Sequence, residues 1–318
     1  MAGLHGRIRR LSAAGRAEVV RRRELGNVSG ESSVIRNQVS PPLRVSDLLK
    51  KYGLRPSKGL GQNFLVDENA LRKVTGAAEI QEGDVVLEVG PGLGSLTRYL
   101  AAAARRVIAV ELDERLLPAL HETLAPFDNV EIVIGDILEL DPVRLVDQSA
   151  YKVVANIPYY ITSALIRHLL EAKIQPERIV LTVQREVATR ITAQPPKMNL
   201  LALSVQVYGV PQITAKIPAG AFYPPPKVDS AVVRVDLLPE PRIPSSLLPL
   251  FFRLVKAGFS QKRKTLRNTL SAGMHWDKAQ AETLLLAAGI DPQRRAQTLS
   301  LDEWESLTRI VQQRLDSK

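Results

Sequence analysis

The chain predicts an α/β fold: a doubly wound, mostly parallel sheet followed by a small all-helical domain. Three observations predict it. Short β-branched runs alternate with helical stretches between residues 85 and 193, a glycine-rich loop joins the first run to its helix, and no strand candidate follows the Pro-rich stretch L-P-E-P-R-I-P-S-S at 238–246. Strands separated by helical crossovers pair in parallel, and helices then cover both faces of the sheet.

Residues 1–40 hold Gly, Ser and Arg in loose order without a strong apolar period, and predict a mostly disordered basic extension. Arg-rich and acid-poor, this segment could pass for an organelle transit peptide, but its three Glu and broken amphipathicity argue against that. A basic arm and an overlong start assignment stay open.

V-V-L-E-V at 85–89 reads as a buried strand, with a helix over 95–104 behind the glycine loop. The unit then repeats. R-V-I-A-V (106–110) precedes a helix at 113–124, V-E-I-V-I (130–134) is a third strand, and Y-K-V-V-A (151–155) precedes a helix at 163–172. R-I-V-L-T-V (178–183) leads into a helix at 185–193. Residues 203–208 and 230–237 are β-rich with no long helix between them, so an antiparallel pair closing one edge is expected. Residues 247–318 show helical periodicity alone, which divides the ordered chain into a sheet domain at 41–240 and a helical domain at 247–318.

Composition narrows the function. With 318 residues the chain can bury one large core, or an ordinary core plus a small second domain. Apolar residues make up 45% and charged residues 24%, an ordinary globular mix. There is no Cys, which excludes disulfides and thiolate metal sites, and the four His show no ligand spacing, so no metal is expected. No apolar run approaches the roughly 18 residues of a membrane helix. The formal net charge is +10 and it is concentrated: residues 1–40 carry eight Arg against three Glu, and 256–267 carry five bases and no acid. A near-neutral body with two basic segments points to a polyanion, nucleic acid first, although solvated faces would give the same charge pattern.

E-V-G-P-G-L-G at 88–94 closes the first strand and opens a helix, where glycines let a ligand approach and the helix start offers free N–H groups. The spacing Gly90-x-Gly92-x-Gly94 is one residue short of the dinucleotide fingerprint, and a plain tight turn would need fewer glycines. Glu111 ends the second strand 21 residues after Gly90, where an acid can accept from both hydroxyls of a ribose, or simply be solvated. Asp136, in I-G-D-I after the third strand, can accept from an exocyclic adenine amine; alone it would more often be a helix cap. These three strand ends fit an adenosine-type ligand and permit either an oxidoreductase or a methyl-donor site.

The fourth strand end separates the two. Asn156-Ile157-Pro158-Tyr159 offers an amide, a backbone carbonyl and an aromatic face beside the crevice. A planar heteroaromatic amine could stack on Tyr159 while its N–H groups donate to the Asn156 side chain and the Ile157 carbonyl. Methyl transfer from a sulfonium is an in-line displacement with a good leaving group, and needs positioning and charge stabilisation more than a strong base. The bland reading is a Pro turn with an Asn cap followed by core tyrosines, Tyr160 included.

With those motifs in order, the chain resembles the S-adenosylmethionine-dependent RNA adenine N6-methyltransferases, and most of all the ribosomal RNA adenine dimethyltransferase family of the KsgA type. K-G-L-G-Q-N-F-L-V-D (58–67), F-Y-P-P-P-K-V-D-S-A-V-V-R (222–234) and F-S-Q-K-R-K-T-L-R-N-T-L (259–270) are similar to further family motifs, and the match runs from about residue 44 to the C-terminus. The 1–40 extension is no part of that family core. The erythromycin-resistance methyltransferases share the catalytic half, but the last two blocks look more like the dimethyltransferase branch. Some relatives serve as transcription factors, so the fold alone does not establish catalysis.

The resemblance implies a Rossmann-like class I methyltransferase with a seven-stranded, mostly parallel sheet and a C-terminal helical domain that docks on RNA. It implies S-adenosylmethionine as donor, with Gln62, Asn63 and Leu65 capping its pocket, Gly90 and Gly92 beneath its methionine end, Glu111 on the ribose and Asp136 on the adenine. Asn156 would bridge donor and acceptor, with Tyr159 and Phe222 sandwiching a target adenine that has left its stack; unaided, Phe222 reads as a core aromatic. Lys58, Lys262, Arg263, Lys264 and Arg267 would meet phosphates, with Arg263 and Arg267 sharing one helix face. The implied reaction dimethylates two adjacent adenosines near the 3′ end of small-subunit rRNA, on an immature subunit, by a cytoplasmic, monomeric enzyme. The alternatives are a 23S rRNA adenine methyltransferase of the erythromycin-resistance type and a non-enzymatic assembly or transcription factor.

Overall fold

The computed structural model of the chain describes residues 7–11, 17–20, 42–147 and 150–317. It divides into two units, one running to Ala188 and including Gln212–Leu237, the other made of Thr189–Pro211 and Leu238–Lys318. Residues 189–211, inside the 41–240 domain of the sequence reading, thus group with the C-terminal helices.

In chain order the first unit begins with strands β1 (Arg7–Leu11) and β2 (Ala17–Val20), helix α1 (Val45–Lys51), the short β3 (Phe64–Leu65) and α2 (Glu68–Ala78). Alternation then sets in: β4 (Val85–Val89), α3 (Ser95–Ala103), β5 (Arg106–Glu111), α4 (Leu117–Leu124), β6 (Val130–Ile134), α5 (Pro142–Val146), β7 (Lys152–Asn156), α6 (Thr162–Leu170), β8 (Arg178–Gln184) and α7 (Arg185–Ile191). After α8 (Leu200–Gln206) come β9 (Gly209–Ile217), β10 (Phe222–Tyr223) and β11 (Ser230–Leu237).

Seven strands, in the order β6-β5-β4-β7-β8-β11-β9, make the predicted sheet. β6, β5, β4, β7 and β8 run parallel, and β11 lies antiparallel to β8. Their composition explains the arrangement. β4 and β6 are buried at every position, as near-continuous Val/Ile/Leu runs must be when helices cover both faces. The core packs Leu71 and Val74 of α2 and Leu96 and Leu100 of α3 against Val86, Val107 and Val154 of the sheet. Where the strands begin, Lys152 pairs with Asp84 at 2.6 Å, and Arg178 and Arg234 both pair with Glu79 and Asp236.

Two expectations need correction. Residues 203–206 belong to a helix, α8, and 207–208 to the turn after it, because the Asn199 side chain caps the helix by accepting from Ala202 N at 3.0 Å and Leu-Leu-Ala-Leu favours helix. The outer strand is instead β9, where Pro211 is tolerated because an edge strand need not donate on both sides. The extension was expected to be mostly disordered; within it β1 pairs parallel with β6 and antiparallel with β2. Without them β6 would present a row of unpaired backbone groups.

The second unit holds α9 (Leu248–Gly258), α10 (Leu266–Met274), α11 (Lys278–Ala287) and α12 (Leu301–Asp316). Trp304 of α12 is fully buried and stacks on Phe259, with ring centroids 6.0 Å apart. A capping box between Ser300 and Glu303 starts α12. Among the described residues of 247–318 there is no strand.

Candidate active site

Parallel strands deliver all their C-terminal ends to one edge of the sheet, where ligands of open α/β sheets bind. The turn after β4 passes through Gly92 and Gly94 with φ of +60° and +85°. A Cβ on Gly92 would lie 3.0 Å from the Phe64 ring, and one on Gly94 would lie 2.9 Å from Thr123 Cγ2, so any side chain would displace the loop from the strand end.

At the end of β5, Glu111 is buried, with Oε2 accepting from Gly92 N at 2.9 Å and Oε1 from Asp113 N at 2.8 Å. Burial pushes its carboxyl above the ordinary range, while the N–H groups of Asp113 and Gly92 pull it back. A carboxylate offers about four lone-pair sites, so it keeps room for a further donor. Glu88, within β4, is more deeply buried still. Burial pushes its carboxyl up to about 8, opposed by the Thr97 hydroxyl and reinforced by the Glu111 charge. At the end of β6 Asp136 Oδ1 accepts from Leu138 N at 2.9 Å.

The wall opposite comes from the loop ahead of β3. Asn156, at the end of β7, donates from Nδ2 to Asn63 O at 3.1 Å. Asn63 in turn donates to Gly61 O at 3.0 Å. β3 pairs antiparallel with β10, placing Leu65 opposite Phe222. Gln62 Nε2 donates to Asp113 Oδ2 at 2.8 Å, and Arg115 holds the Asp113 carboxyl below the usual carboxylate range.

All eight residues expected at the donor, from Gln62 to Asn156, border a single cleft together with Phe222. Phe222 is both core and wall, buried against the sheet and presenting one side to the cleft. The backbone of Tyr159 forms the 3₁₀ turn after β7, but its side chain lies outside the described residues. Tyr160 corrects the sequence reading: it is no core residue but 62% exposed at the border of the cleft, because the turn ends the in-out alternation of the strand. Lys58 is exposed in the turn before Gly61 and does not border the cleft.

In the helical unit, Lys262, Arg263 and Lys264 are exposed in the turn preceding α10, which starts only at Leu266, after its N-cap Thr265. Arg263 and Arg267 therefore do not share a helix face, and half-buried Arg267 pairs with Glu282 of α11 at 3.1 Å. Among the described residues no group of three or more His, Cys, Asp or Glu could hold a metal, and no helix is long and apolar enough to cross a membrane.

Sequence reasoning missed Asp113, which showed only as a helix start, and Tyr160. It also passed over Phe64, whose ring fills the space above Gly92. The E-x-D spacing of Glu111 and Asp113 was the available signal for the first. Chemically, the cleft combines buried acceptors at the β5 and β6 ends, glycine backbone at the β4 end and an amide at the β7 end. That set fits an adenosine bearing a non-anionic tail better than a pyrophosphate, which two strand-end carboxylates would repel.

Comparison with known proteins agrees. The family model for ribosomal RNA adenine dimethylase matches residues 54–313. The ribosomal RNA small subunit methyltransferase A of Dehalococcoides mccartyi strain CBDB1 is 47% identical over 266 residues, covering 83% of this chain and 91% of that protein. The protein of the same name from Moorella thermoacetica is 44% identical over 287 residues, covering 87% and 99%. Among solved structures, the 23S rRNA methyltransferase ErmE superposes with a TM-score of 0.66 at 29% identity, over 79% of this chain and all of that one. A dimethyladenosine transferase from Plasmodium falciparum gives 0.65 at 25% identity, over 77% and 95%. Fold, cleft and sequence converge, and the chain belongs to the ribosomal RNA adenine dimethylase family.

Proposed function

We propose that the protein uses S-adenosylmethionine to dimethylate N6 of two adjacent adenosines near the 3′ end of small-subunit rRNA during subunit maturation, acting as a cytoplasmic monomer. The observation that carries this reading is the bond from Asn156 Nδ2 to Asn63 O, which ties the amide at the β7 end to the loop over the expected donor. A sulfonium donor supplies the methyl group: the N6 nitrogen forms the new C–N bond, the S–C bond breaks, sulfur leaves as a neutral thioether, and the amine proton passes to solvent.

The remaining work falls to the chain's own residues. Glu111 accepts from the ribose hydroxyls and Asp136 from the adenine amine of the donor, while Gly90 and Gly92 keep its methionine end free of side chains. Gln62, Asn63 and Leu65 cover it. Asn156 and the Ile157 carbonyl accept from the target amine and stabilise the positive charge that grows on it, without a titration of their own. Tyr159 and Phe222 hold the extruded base, and exposed Tyr160 offers a surface to the nucleotide beside it. Lys58, Lys262, Arg263 and Lys264 meet phosphates.

Labelled donor, incubated with undermethylated small subunits and separately with large-subunit rRNA, tests the reading by mapping the product base. N6,N6-dimethyladenosine is expected on the small-subunit RNA; its absence with folded protein overturns the assignment. Label on large-subunit RNA alone would favour the reaction named for ErmE. Asn156→Ala is expected to lower turnover roughly a hundredfold or more while donor affinity changes little.

A further inference from the structure

Asp113 is buried, with 4% of its side chain exposed, yet it does not border the cleft. Whatever it does for the reaction it does through other residues. Its carboxylate is filled from two directions. Arg115 donates from N and Nε to Oδ1 at 3.2 and 2.8 Å and from Nη2 to Oδ2 at 2.7 Å, and Gln62 Nε2 donates to Oδ2 at 2.8 Å.

Gln62 is committed at its other end too, for its Oε1 accepts from Ser57 N at 2.8 Å. The partners fix the orientation of the amide, since a backbone N–H can only donate and an ionised carboxylate can only accept. Gln62 N also donates to Ser57 O at 3.1 Å, closing the loop on itself. From Asp113 the path continues inward: its N–H donates to Glu111 Oε1, and Glu111 Oε2 accepts from Gly92 N. An unbroken hydrogen-bonded chain thus runs Ser57–Gln62–Asp113–Glu111–Gly92, from the loop that covers the donor end of the cleft to the glycine turn beneath it.

We propose that Asp113 is a positioning residue for the methyl donor, latching the 57–65 loop to the end of β5 through Gln62 while its N–H aims the Glu111 carboxylate into the cleft. This rests on the donor reading given under Proposed function. Arg115, exposed over most of its side chain, keeps the latch ionised and therefore able to accept from Gln62. Gln62 covers the donor with its carbon frame and backbone, because its polar atoms are already engaged. A purely structural role is available to Asp113 as cap of the short turn Glu114–Leu116, and it would act on stability alone.

A reciprocal exchange separates the two roles. Gln62→Glu sets two carboxylates against each other, and Asp113→Asn sets its amide nitrogen against two donors, whichever oxygen it replaces. Each is expected to raise the donor KM roughly tenfold, with kcat changed far less. In the double variant the amide introduced at position 113 donates to one oxygen of the carboxylate introduced at position 62, and Ser57 N donates to the other. That variant should return to within about threefold of the wild-type KM. Gln62→Met, which removes both side-chain bonds and leaves the Asp113 cap intact, should raise KM without lowering Tm. Wild-type KM values in the single variants, or no recovery in the double variant, would overturn the latch. If a single variant does not fold, Gln62→Met decides the question alone. The wild-type enzyme is the control: if it fails to methylate RNA, the assigned reaction falls, and titration of the same variants with S-adenosylhomocysteine still decides whether the latch exists.

Discussion

Glu88 sits in β4, 1% exposed, two positions before Gly90. Its carboxyl titrates at about 8 in the folded protein against 4.5 in the open chain. Below the lower value both states are protonated and the group favours neither. As pH rises between the two values the unfolded chain releases the proton and the folded one keeps it, so stability falls, on the order of a few kcal/mol in all. Glu88→Gln is expected to flatten the decline of Tm from pH 5 to pH 8; parallel declines in both proteins would show that burial does not hold this proton. Single residues also divide by how readable they were. Glu111 and Asp136 could be found because each ends a buried run, and parallel strands bring such ends together. Gln62 and Asp113 are 51 residues apart, and no local pattern announces that they meet. Tyr160 looked like core because apolar and aromatic neighbours suggest it, and only the 3₁₀ turn after β7 shows otherwise.

At the scale of elements, close packing fixes where small residues are required. A Cβ on Gly273 of α10 would fall 2.6 Å from Ala257 Cβ and 2.9 Å from Ala257 Cα, against backbone of α9 that cannot yield cheaply. Gly76 of α2 faces nothing within 4 Å. Replacement by Ala should therefore have opposite signs: Gly76→Ala gains about 0.5–1 kcal/mol from helix propensity, whereas overpacking at Gly273→Ala costs about 1–3 kcal/mol. Chemical denaturation reads both, and a stabilised Gly273→Ala would refute the packing argument. The parallel strands were legible because burial on both faces leaves no polar alternation. β9 was not, since its exposed face and Pro211 masked the pattern of an edge. Nor did spacing reveal that α10 begins at Leu266, which separates Arg263 from Arg267.

At the scale of the whole molecule, charge is the property that sequence showed directly and structure refined. Of the bases at 262–267, Lys262, Arg263 and Lys264 are exposed, while Arg267 is spoken for by Glu282. Replacing the first three by Ala should weaken binding to an rRNA fragment and reduce the slope of log K against log salt by about 0.7–0.9 for each phosphate no longer neutralised. Arg267→Ala should change that slope less and lower the Tm of the chain instead. An unchanged slope in the triple variant would remove this turn from the RNA-binding surface. The pairing of β3 with β10 has a consequence for how the chain tolerates insertions and deletions. Leu65 and Phe222 face one another by register alone, across more than 150 positions of sequence. Residues can be added at exposed points between the two strands without disturbing that match. One residue gained or lost inside either two-residue strand would slip the ladder and turn that strand's side chains to the opposite face. The length of this gene's product is therefore free in most loops and quantised at two places.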